Sequence, residues 1–226
     1  MSLRSVKPPH ETRTRILDAA EELFMQHGFG GTSMRQLTAK AGVNLAAVNY
    51  HFGSKDALIE AVFRRRLDPM NAGRIAELDR LEKATAGPLS PEAIIRAFVG
   101  ASLRMIEDAK CGGRNFIRLL GRTYTDPQKH IRSLIGQLYA PAMERFKNAF
   151  ERALPQMPRD ELVWRIHFMF GTLAYTLAAT DTVQLIAGCK PEDRYDARLL
   201  EARLTAFLAA GLLAPLHNAA DIKKAA

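Results

Sequence analysis

The sequence predicts an all-α protein with two parts. A small N-terminal helix-turn-helix domain is expected to be joined by a linking helix to a larger α-helical domain. Three observations support this fold class. Leu, Ala and Arg are abundant while β-branched runs are rare, apolar residues recur at helical spacing, and Gly, Ser and Asn stand where helices begin and end. With 226 residues, 47% of them hydrophobic, the chain can bury a full core.

Two helices separated by a tight connection are expected first. Apolar residues at helical spacing run from about residue 10 to residue 27, and Gly28 follows as a C-terminal stop. A second helix is expected after Ser33, because Ser33 and Gln36 have the spacing of a capping box. Gly42 is expected to end this helix.

A very short third helix and a longer fourth one follow. Asn44 is a suitable N-cap for the third helix, which is expected to run only to about Tyr50 or His51. Gly53 then breaks the chain, and Ser54 is expected to cap the fourth helix. A short helix after a tight turn is the arrangement of a helix-turn-helix unit.

The domain boundary is expected between residues 1–54, which hold the N-terminal arm and the helix-turn-helix, and residues 55–226, which hold the linking helix and a regulatory and dimerisation domain. Pro69 is expected to kink or end the linking helix. A charged helix over residues 74–83 follows, and residues 85–91 are the clearest loop. Further helices are expected at residues 92–108, 114–124, 127–154, 159–187 and 196–213.

Charge and cysteine content narrow the class of protein. The formal net charge of +8 suits a protein that binds a polyanion such as DNA. Cys111 and Cys189 are far apart and belong to no metal-binding pattern, so we expect reduced thiols and neither a disulfide nor a metal site. The N-terminus lacks the apolar segment of a signal peptide, and no run of about 18 apolar residues is present. We therefore expect a soluble cytoplasmic protein without membrane contact.

The third helix is the candidate DNA-reading element, because the second helix of a helix-turn-helix unit lies in the major groove. With Val48 and Phe52 facing inward, small alanines on the outer side allow close approach to base edges. Ser33 and Asn44 also fit as plain helix caps, and both roles can coexist. The residues expected to contact DNA are Thr32, Ser33, Arg35, Asn44, Leu45, Ala46, Ala47, Asn49, Tyr50, His51 and Lys55.

Three runs in this part carry a family resemblance: RILDAAEELF at residues 15–24, TSMRQLTAKAGV at 32–43 and YHFGSKDAL at 50–58. Together they resemble the N-terminal domain of TetR-family transcriptional regulators. The resemblance implies a homodimer that binds a palindromic operator in double-stranded DNA. Many members carry a more polar recognition helix, so base readout is expected to be sparse here. The positions that match the family's DNA contacts are Arg35, Asn44, Asn49, Tyr50, His51 and Lys55.

The C-terminal part shows no group of residues that indicates an enzyme. His130, His167 and His217 are isolated and Asp181 has no partner base, so we expect no catalytic residue and no cofactor. Most large apolar residues are expected in the core, and a subset is expected to line an elongated cavity for a small apolar effector. The candidate lining residues are Met105, Phe116, Leu120, Tyr124, Phe146, Trp164, Phe168 and Tyr175.

The last two long helices are the candidate dimer interface. They carry broad apolar faces with small residues, and a two-fold four-helix bundle would bury more of that surface than one protomer can. The candidate interface residues are Gly171, Ala174, Ala178, Leu200, Leu204, Phe207 and Leu208.

Two interpretations of function stay open. In the first, the protein is a homodimeric repressor that a small apolar effector releases from its operator. Residues 65–72 and 88–94 also resemble, more weakly, a branch of the family linked to fatty-acid metabolism, which implies a fatty-acyl effector. In the second, the protein is a dimeric DNA-binding protein whose C-terminal domain serves only dimerisation or a protein partner.

Overall fold

The computed structural model describes residues 9–107, 129–177 and 196–216, together with positions 113, 116, 119, 120, 123, 186 and 188. Within these residues the chain forms eight α-helices and no strand, which confirms the predicted fold class. Cys111, Cys189, Tyr124 and Ala178 lie outside the described residues, as does most of the helix expected at 114–124. The helices are α1 Pro9–Gly31, α2 Met34–Ala41, α3 Leu45–Phe52, α4 Lys55–Ala84, α5 Pro91–Glu107, α6 Lys129–Ala153, α7 Arg159–Leu177 and α8 Ala197–Leu212.

The first three helices pack against the start of α4 around a small apolar core. Gly28 has a φ of 72° and interrupts α1 where the sequence predicts a stop, although the helical turns continue to Gly31. Ser33 and Gln36 form the predicted capping box at the start of α2. The four helices contribute side chains to this core that include Ile16, Phe24, Leu37, Val48 and Leu58.

The turn between α2 and α3 is held by Arg15 of α1. Gly42 has the left-handed conformation, with φ 61° and ψ 42°, and ends α2 as predicted. The guanidinium of Arg15 donates hydrogen bonds to the carbonyl oxygens of Ala41 and Gly42, the latter at 3.0 Å. A β-carbon at position 42 would lie 2.6 Å from Nη2 of Arg15. The backbone conformation therefore favours glycine, and a β-carbon here would displace the end of the Arg15 side chain from this turn.

The linking helix α4 is a single helix of 30 residues that contains Pro69, so of the two expected outcomes, a kink or an end, the proline does not end the helix. The proline removes one backbone hydrogen bond and costs about 3 kcal/mol in a helix interior. Leu67 and Met70 on either side of it are buried in the core. Burial of several such residues against α5 and α6 outweighs this cost, because each contributes roughly 1.5–3 kcal/mol.

Arg74, on the second half of α4, is only 1% exposed and ties three helices together. Its guanidinium donates to the Phe98 carbonyl at 3.1 Å and to the Ser102 hydroxyl at 2.6 Å, both on α5. It also donates to the Asn71 side chain at 3.0 Å, and Asn71 in turn donates to the Leu138 carbonyl of α6. The guanidinium lies 3.8 Å from the centre of the Phe98 ring, in cation–π contact. These contacts join α4 to the C-terminal helices.

Helices α7 and α8 are held together by Arg165, which is 7% exposed. Its Nη1 donates to the carbonyl oxygens of Leu212 at 2.7 Å and Ala214 at 2.6 Å, at the C-terminal end of α8. These carbonyls have no partner within their own helix, so Arg165 acts as a C-terminal cap supplied by the neighbouring helix.

Among the described residues, no helix has the length and apolar character needed to cross a membrane.

Candidate nucleic-acid interface

One side of α3 is exposed and is called here the α3 face. Val48 on the opposite side is 1% exposed and belongs to the core, as predicted. Ala47 is only partly exposed and lies at the edge of the face. Two members of the face expose much of a large side chain, with Tyr50 83% and Leu45 51% exposed. The α3 face consists of Leu45, Ala46, Asn49 and Tyr50.

Two of the candidate DNA contacts cap the helices that present this face. The side-chain oxygen of Asn44 accepts a hydrogen bond from the Ala47 amide at 2.8 Å, at the start of α3. Ser33 accepts from the Gln36 amide at 3.2 Å, while the Gln36 side chain accepts from the Ser33 amide at 2.8 Å. The cap role proposed for Ser33 and Asn44 is therefore present, and it fixes where α2 and α3 begin.

Two further candidates are engaged within the protein. Thr32 is 2% exposed, and its hydroxyl lies within hydrogen-bonding distance of the Leu23 and Gly28 carbonyl oxygens, at 3.2 and 2.8 Å. The Thr32 side chain therefore closes the end of α1 and is not available to contact DNA in this structure. The Lys55 ammonium donates to the Thr32 carbonyl at 2.6 Å and ties the start of α4 to the α1–α2 connection.

Polar and aromatic residues flank the α3 face. Arg35 is exposed near the start of α2, and no ion-pair partner lies beside it among the described residues. The rings of Tyr50 and His51 meet edge to face, with centroids 5.1 Å apart. Arg13 of α1 lies 5.4 Å from the centre of the Phe52 ring and is exposed. Arg13 was not among the predicted DNA contacts, although its positive charge close to the helix-turn-helix could have indicated it.

Other arginines of the N-terminal half are engaged in ion pairs between α1 and α4. Arg65 lies 2.6 Å from Asp18 and also binds Glu21. Arg66 lies 3.1 Å from the same Glu21 carboxylate, which is 8% exposed. These pairs join α1 to the linking helix α4.

The candidate effector residues fall into two groups. Met105, Phe116, Leu120 and Phe146 are at most 6% exposed and lie in the core. Trp164, Phe168 and Tyr175 are 55–61% exposed on the outside of α7, which corrects their expected position as cavity-lining residues. Periodicity places these rings on one side of a helix but does not reveal whether that side faces inward.

A groove of about 460 Å³ lies elsewhere, beside α4 between Arg13 and Pro69.

A row of buried aromatic rings connects the two domains. Phe24 and Phe29 of α1 have ring centroids 5.3 Å apart, and Phe29 lies 5.7 Å from Phe63 of α4. Phe63 lies 5.9 Å from Phe116 of the C-terminal part. All four rings are at most 3% exposed. The core of the DNA-binding domain is thus in continuous contact with the C-terminal domain through α4.

The candidate dimer residues are also divided. Leu204 and Leu208 are 5% and 6% exposed and pack in the protomer's own core, which corrects their expected place on an interface. Gly171 is exposed, and Ala174 and Leu200 are partly exposed. Phe207 of α8 is 67% exposed. We define the exposed aromatic face as Trp164, Phe168 and Tyr175 of α7 with Phe207 of α8.

Two family models match the chain. The model for bacterial regulatory proteins of the tetR family matches residues 16–62, and the model for the tetracyclin repressor-like C-terminal domain matches residues 96–211. The second match covers more than half of the chain. The chain belongs to the TetR family. The family and the relatives below are transcriptional regulators and not enzymes, and the match at residues 16–62 confirms the resemblance found in the sequence.

Relatives match over part of their length. The chain is 37% identical over 70 residues to the HTH-type transcriptional regulator SrpR of Pseudomonas putida, covering 31% of this chain and 33% of that protein. It is 34% identical over 90 residues to the regulator AcrR of Shigella flexneri, covering 40% of each protein. The chain thus spans well under two thirds of the length of these relatives.

Solved structures share the fold over almost the whole chain. FadR of Bacillus subtilis, in complex with stearoyl-CoA, aligns with a TM-score of 0.64 at 14% identity, covering 90% of this chain and 99% of that one. GusR of Salmonella enterica aligns with a TM-score of 0.61 at 19% identity, covering 93% and 99%. At these identities the similarity establishes the fold alone.

Proposed function

We propose that this TetR-family protein is a homodimeric repressor whose two α3 helices enter successive major grooves of a palindromic operator. The observation that carries the proposal is the α3 face, which stands on the second helix of the helix-turn-helix unit and is held at a defined angle by Arg15. Residues in the first turns of such a helix contact base edges. Arg35 and His51 flank the face, and together with Tyr50 of the face they are proposed to contact the phosphate backbone.

The exposed aromatic face supports the homodimer. Its four rings are 55–67% exposed, and large apolar side chains grouped on adjacent packed helices mark interaction sites. A second copy of the chain is the proposed occupant, because a two-fold interface presents the same face from both protomers. The resulting two-fold symmetry matches that of a palindromic operator.

An apolar effector, of fatty-acyl character, is proposed to release the operator. FadR, which shares this fold, binds stearoyl-CoA, and parts of α4 and the α4–α5 connection resemble the fatty-acid-linked branch of the family. An effector that displaces Phe116 would move Phe63 and with it α4. In a dimer this changes the distance between the two α3 helices, which must be about 34–36 Å to enter successive grooves. Couplings of this kind are typically about 1–3 kcal/mol.

The alternative, a C-terminal domain that serves only dimerisation or a protein partner, has its own support. Phe98 and Phe146 have ring centroids 5.1 Å apart, and Phe98 and Phe170 lie 4.9 Å apart. Such a close-packed aromatic core needs no ligand to fill it. Under this alternative, acyl compounds leave operator affinity unchanged.

The DNA proposal is tested by capturing genomic fragments with the full chain and measuring affinity for the captured duplex at several salt concentrations. Tyr50→Ala and Arg35→Ala should each weaken binding, and Arg35→Ala should lower the slope of log affinity against log salt by about one. Arg80→Ala is the matched control, because Arg80 is exposed on α4 and pairs with Glu77. Binding that is unchanged in both test variants would contradict the assignment of these residues.

The effector proposal is tested with stearoyl-CoA as the probe. Its affinity for the free protein and for the operator-bound protein should differ by the same factor by which it weakens operator binding, because coupling between two sites is reciprocal. Binding of equal strength to both forms would remove the release mechanism. No binding of this or any shorter acyl-CoA would favour the alternative.

A further inference from the structure

We infer that the operator half-site beneath α3 is rich in A·T pairs and is recognised chiefly through thymine methyl groups. This inference rests on the proposed function, in which α3 enters the major groove. It concerns which base pairs the α3 face selects, and it follows from the chemistry of the side chains that are exposed there.

The α3 face lacks the side chains that read G·C pairs. The helix sequence is LAAVNYHF, without Arg, Lys, Asp or Glu. Guanine is most often recognised by Arg or Lys at its O6 and N7 atoms, and the amino group of cytosine is recognised by Asp or Glu. Arg35 is exposed as well, but it stands on α2 and not on the α3 face. The base-reading positions of α3 therefore offer no charged partner to guanine or cytosine.

The face instead presents aliphatic carbon. Leu45 is 51% exposed in the first position of the helix, and Ala46 beside it is exposed as well. In the major groove the apolar feature of a base is the C5 methyl of thymine, which favours contact with apolar side chains. Leu45 against cytosine would leave the N4 amino group without an acceptor, which costs free energy. Leu45 thus favours thymine and disfavours cytosine at the same position.

Asn49 supplies the complementary contact. It lies four residues after Leu45, so both side chains stand on the same side of the helix. An Asn amide can bind adenine at N6 and N7 with two hydrogen bonds. Asn44 is less suited to this role, because its side-chain oxygen already caps α3 by accepting from Ala47. An adenine and a thymine methyl side by side along the groove are the features that this pair of residues recognises.

The test uses the full chain and duplexes selected from a library of random sequence. The best duplex is synthesised with uracil in place of thymine at one position at a time, which removes only the methyl group. Replacement of a contacted thymine by uracil should then lower the affinity about four-fold. This factor corresponds to the transfer free energy of one buried methyl group. Leu45→Ala should abolish the uracil penalty at one thymine, and Asn49→Ala should relax the preference for adenine at its neighbour.

The controls separate this inference from the operator function. Leu45 is half exposed, so the Leu45→Ala variant should melt close to the temperature of the wild type. A double-mutant cycle that combines this variant with the uracil duplex isolates the contact between Leu45 and the thymine methyl group. A selected half-site of G·C pairs beneath α3, or equal affinity for thymine and uracil duplexes, would overturn the inference and leave the operator function standing. Failure to enrich any duplex would overturn both.

Discussion

Phe207→Arg should convert the proposed dimer into a monomer without unfolding the protomer. Phe207 lies on α8 between buried residues, yet 67% of its own surface is exposed. The protomer core therefore does not depend on it. In the proposed dimer the same ring would be covered by the partner's α7 and α8, so that the substitution acts twice, once in each copy.

The magnitude follows from the exposed area. An aromatic side chain has roughly 200 Å² to bury, so about 130 Å² of Phe207 is exposed in the protomer. Covering this area at about 25 cal/mol per Å² contributes about 3 kcal/mol in each copy, or about 6 kcal/mol per dimer. That corresponds to roughly a ten-thousand-fold increase in the dissociation constant. It is an upper bound for the contribution of apolar burial alone, because ordering costs offset part of that contribution. An unpaired Arg charge in the interface adds to the loss.

Sedimentation velocity over a range of protomer concentrations around about 1 µM distinguishes the two states, since dimerisation depends on mass action. Leu45→Arg is the matched control: it places the same charge at an exposed residue on α3 and should leave the assembly unchanged. A wild-type monomer at that concentration, or a Phe207→Arg variant that dimerises as tightly as the wild type, would refute the reasoning about the exposed aromatic face.

Three further predictions concern stability. Arg74→Ala should lower the free energy of unfolding by about 4 kcal/mol or more in urea titrations, because buried acceptors lose their donors at about 1–3 kcal/mol each. Glu82→Gln should lower the melting temperature at neutral pH. The hydrogen bond from Arg145 holds the pKa of Glu82 below its usual 4.5. The difference from wild type should therefore begin to shrink as the pH falls below 4.5 and vanish once the pH passes the lowered pKa. Gly42→Ala should cost more than about 1–2 kcal/mol, because its left-handed backbone disfavours a β-carbon.

Matched variants test these three predictions. Arg80→Ala removes an exposed guanidinium from the same helix as Arg74 and should leave the urea midpoint close to that of the wild type. Gly31→Ala adds a β-carbon whose nearest neighbour is 3.5 Å away, and it should be tolerated. A Glu82→Gln difference that persists undiminished in acid would contradict the ion-pair account. Equal effects of the two glycine variants would contradict the argument about Gly42.

Local signals in the sequence predicted much of the DNA-binding domain. A cap involves residues no more than three positions apart, and the amides at the starts of α2, α3 and α4 are bound by Ser33, Asn44 and Ser54 as expected. The αL conformation of Gly42 follows from the same local chemistry. The α3 face was predictable as well, because Val48 identifies the buried side of this short helix.

Contacts between distant residues were not predictable in this way. Arg15 binds the carbonyl of Gly42 across 27 positions, and Arg165 binds that of Leu212 across 47. Neither arginine differs in sequence from one that faces solvent. Thr32 was expected to contact DNA because it lies at the start of α2, whereas its hydroxyl turns back onto the end of α1.

The assignment of helix faces had a related limit. Around α8, apolar residues occupy nearly the whole circumference, so Leu204, Phe207 and Leu208 fit one broad stripe. The structure separates them, because α5 and α7 cover the leucines and leave Phe207 exposed. An apolar pattern reports that a side chain must be covered, but it does not report whether the same protomer or a second copy covers it.

The attachments of α4 explain how a displacement of the C-terminal helices can reach the α3 face. Near its start α4 is bound to α1 through Arg65 and Arg66, and beyond Pro69 it is bound to α5 and α6 through Arg74. Both attachments are hydrogen-bonded, and the Glu21 carboxylate and the Arg74 guanidinium within them are buried, so neither end slips easily over its neighbour. A displacement of the C-terminal helices must therefore be absorbed within α4 or carried to α1 and the α3 face. Pro69, which removes a hydrogen bond between the two attachments, is where bending of α4 costs least.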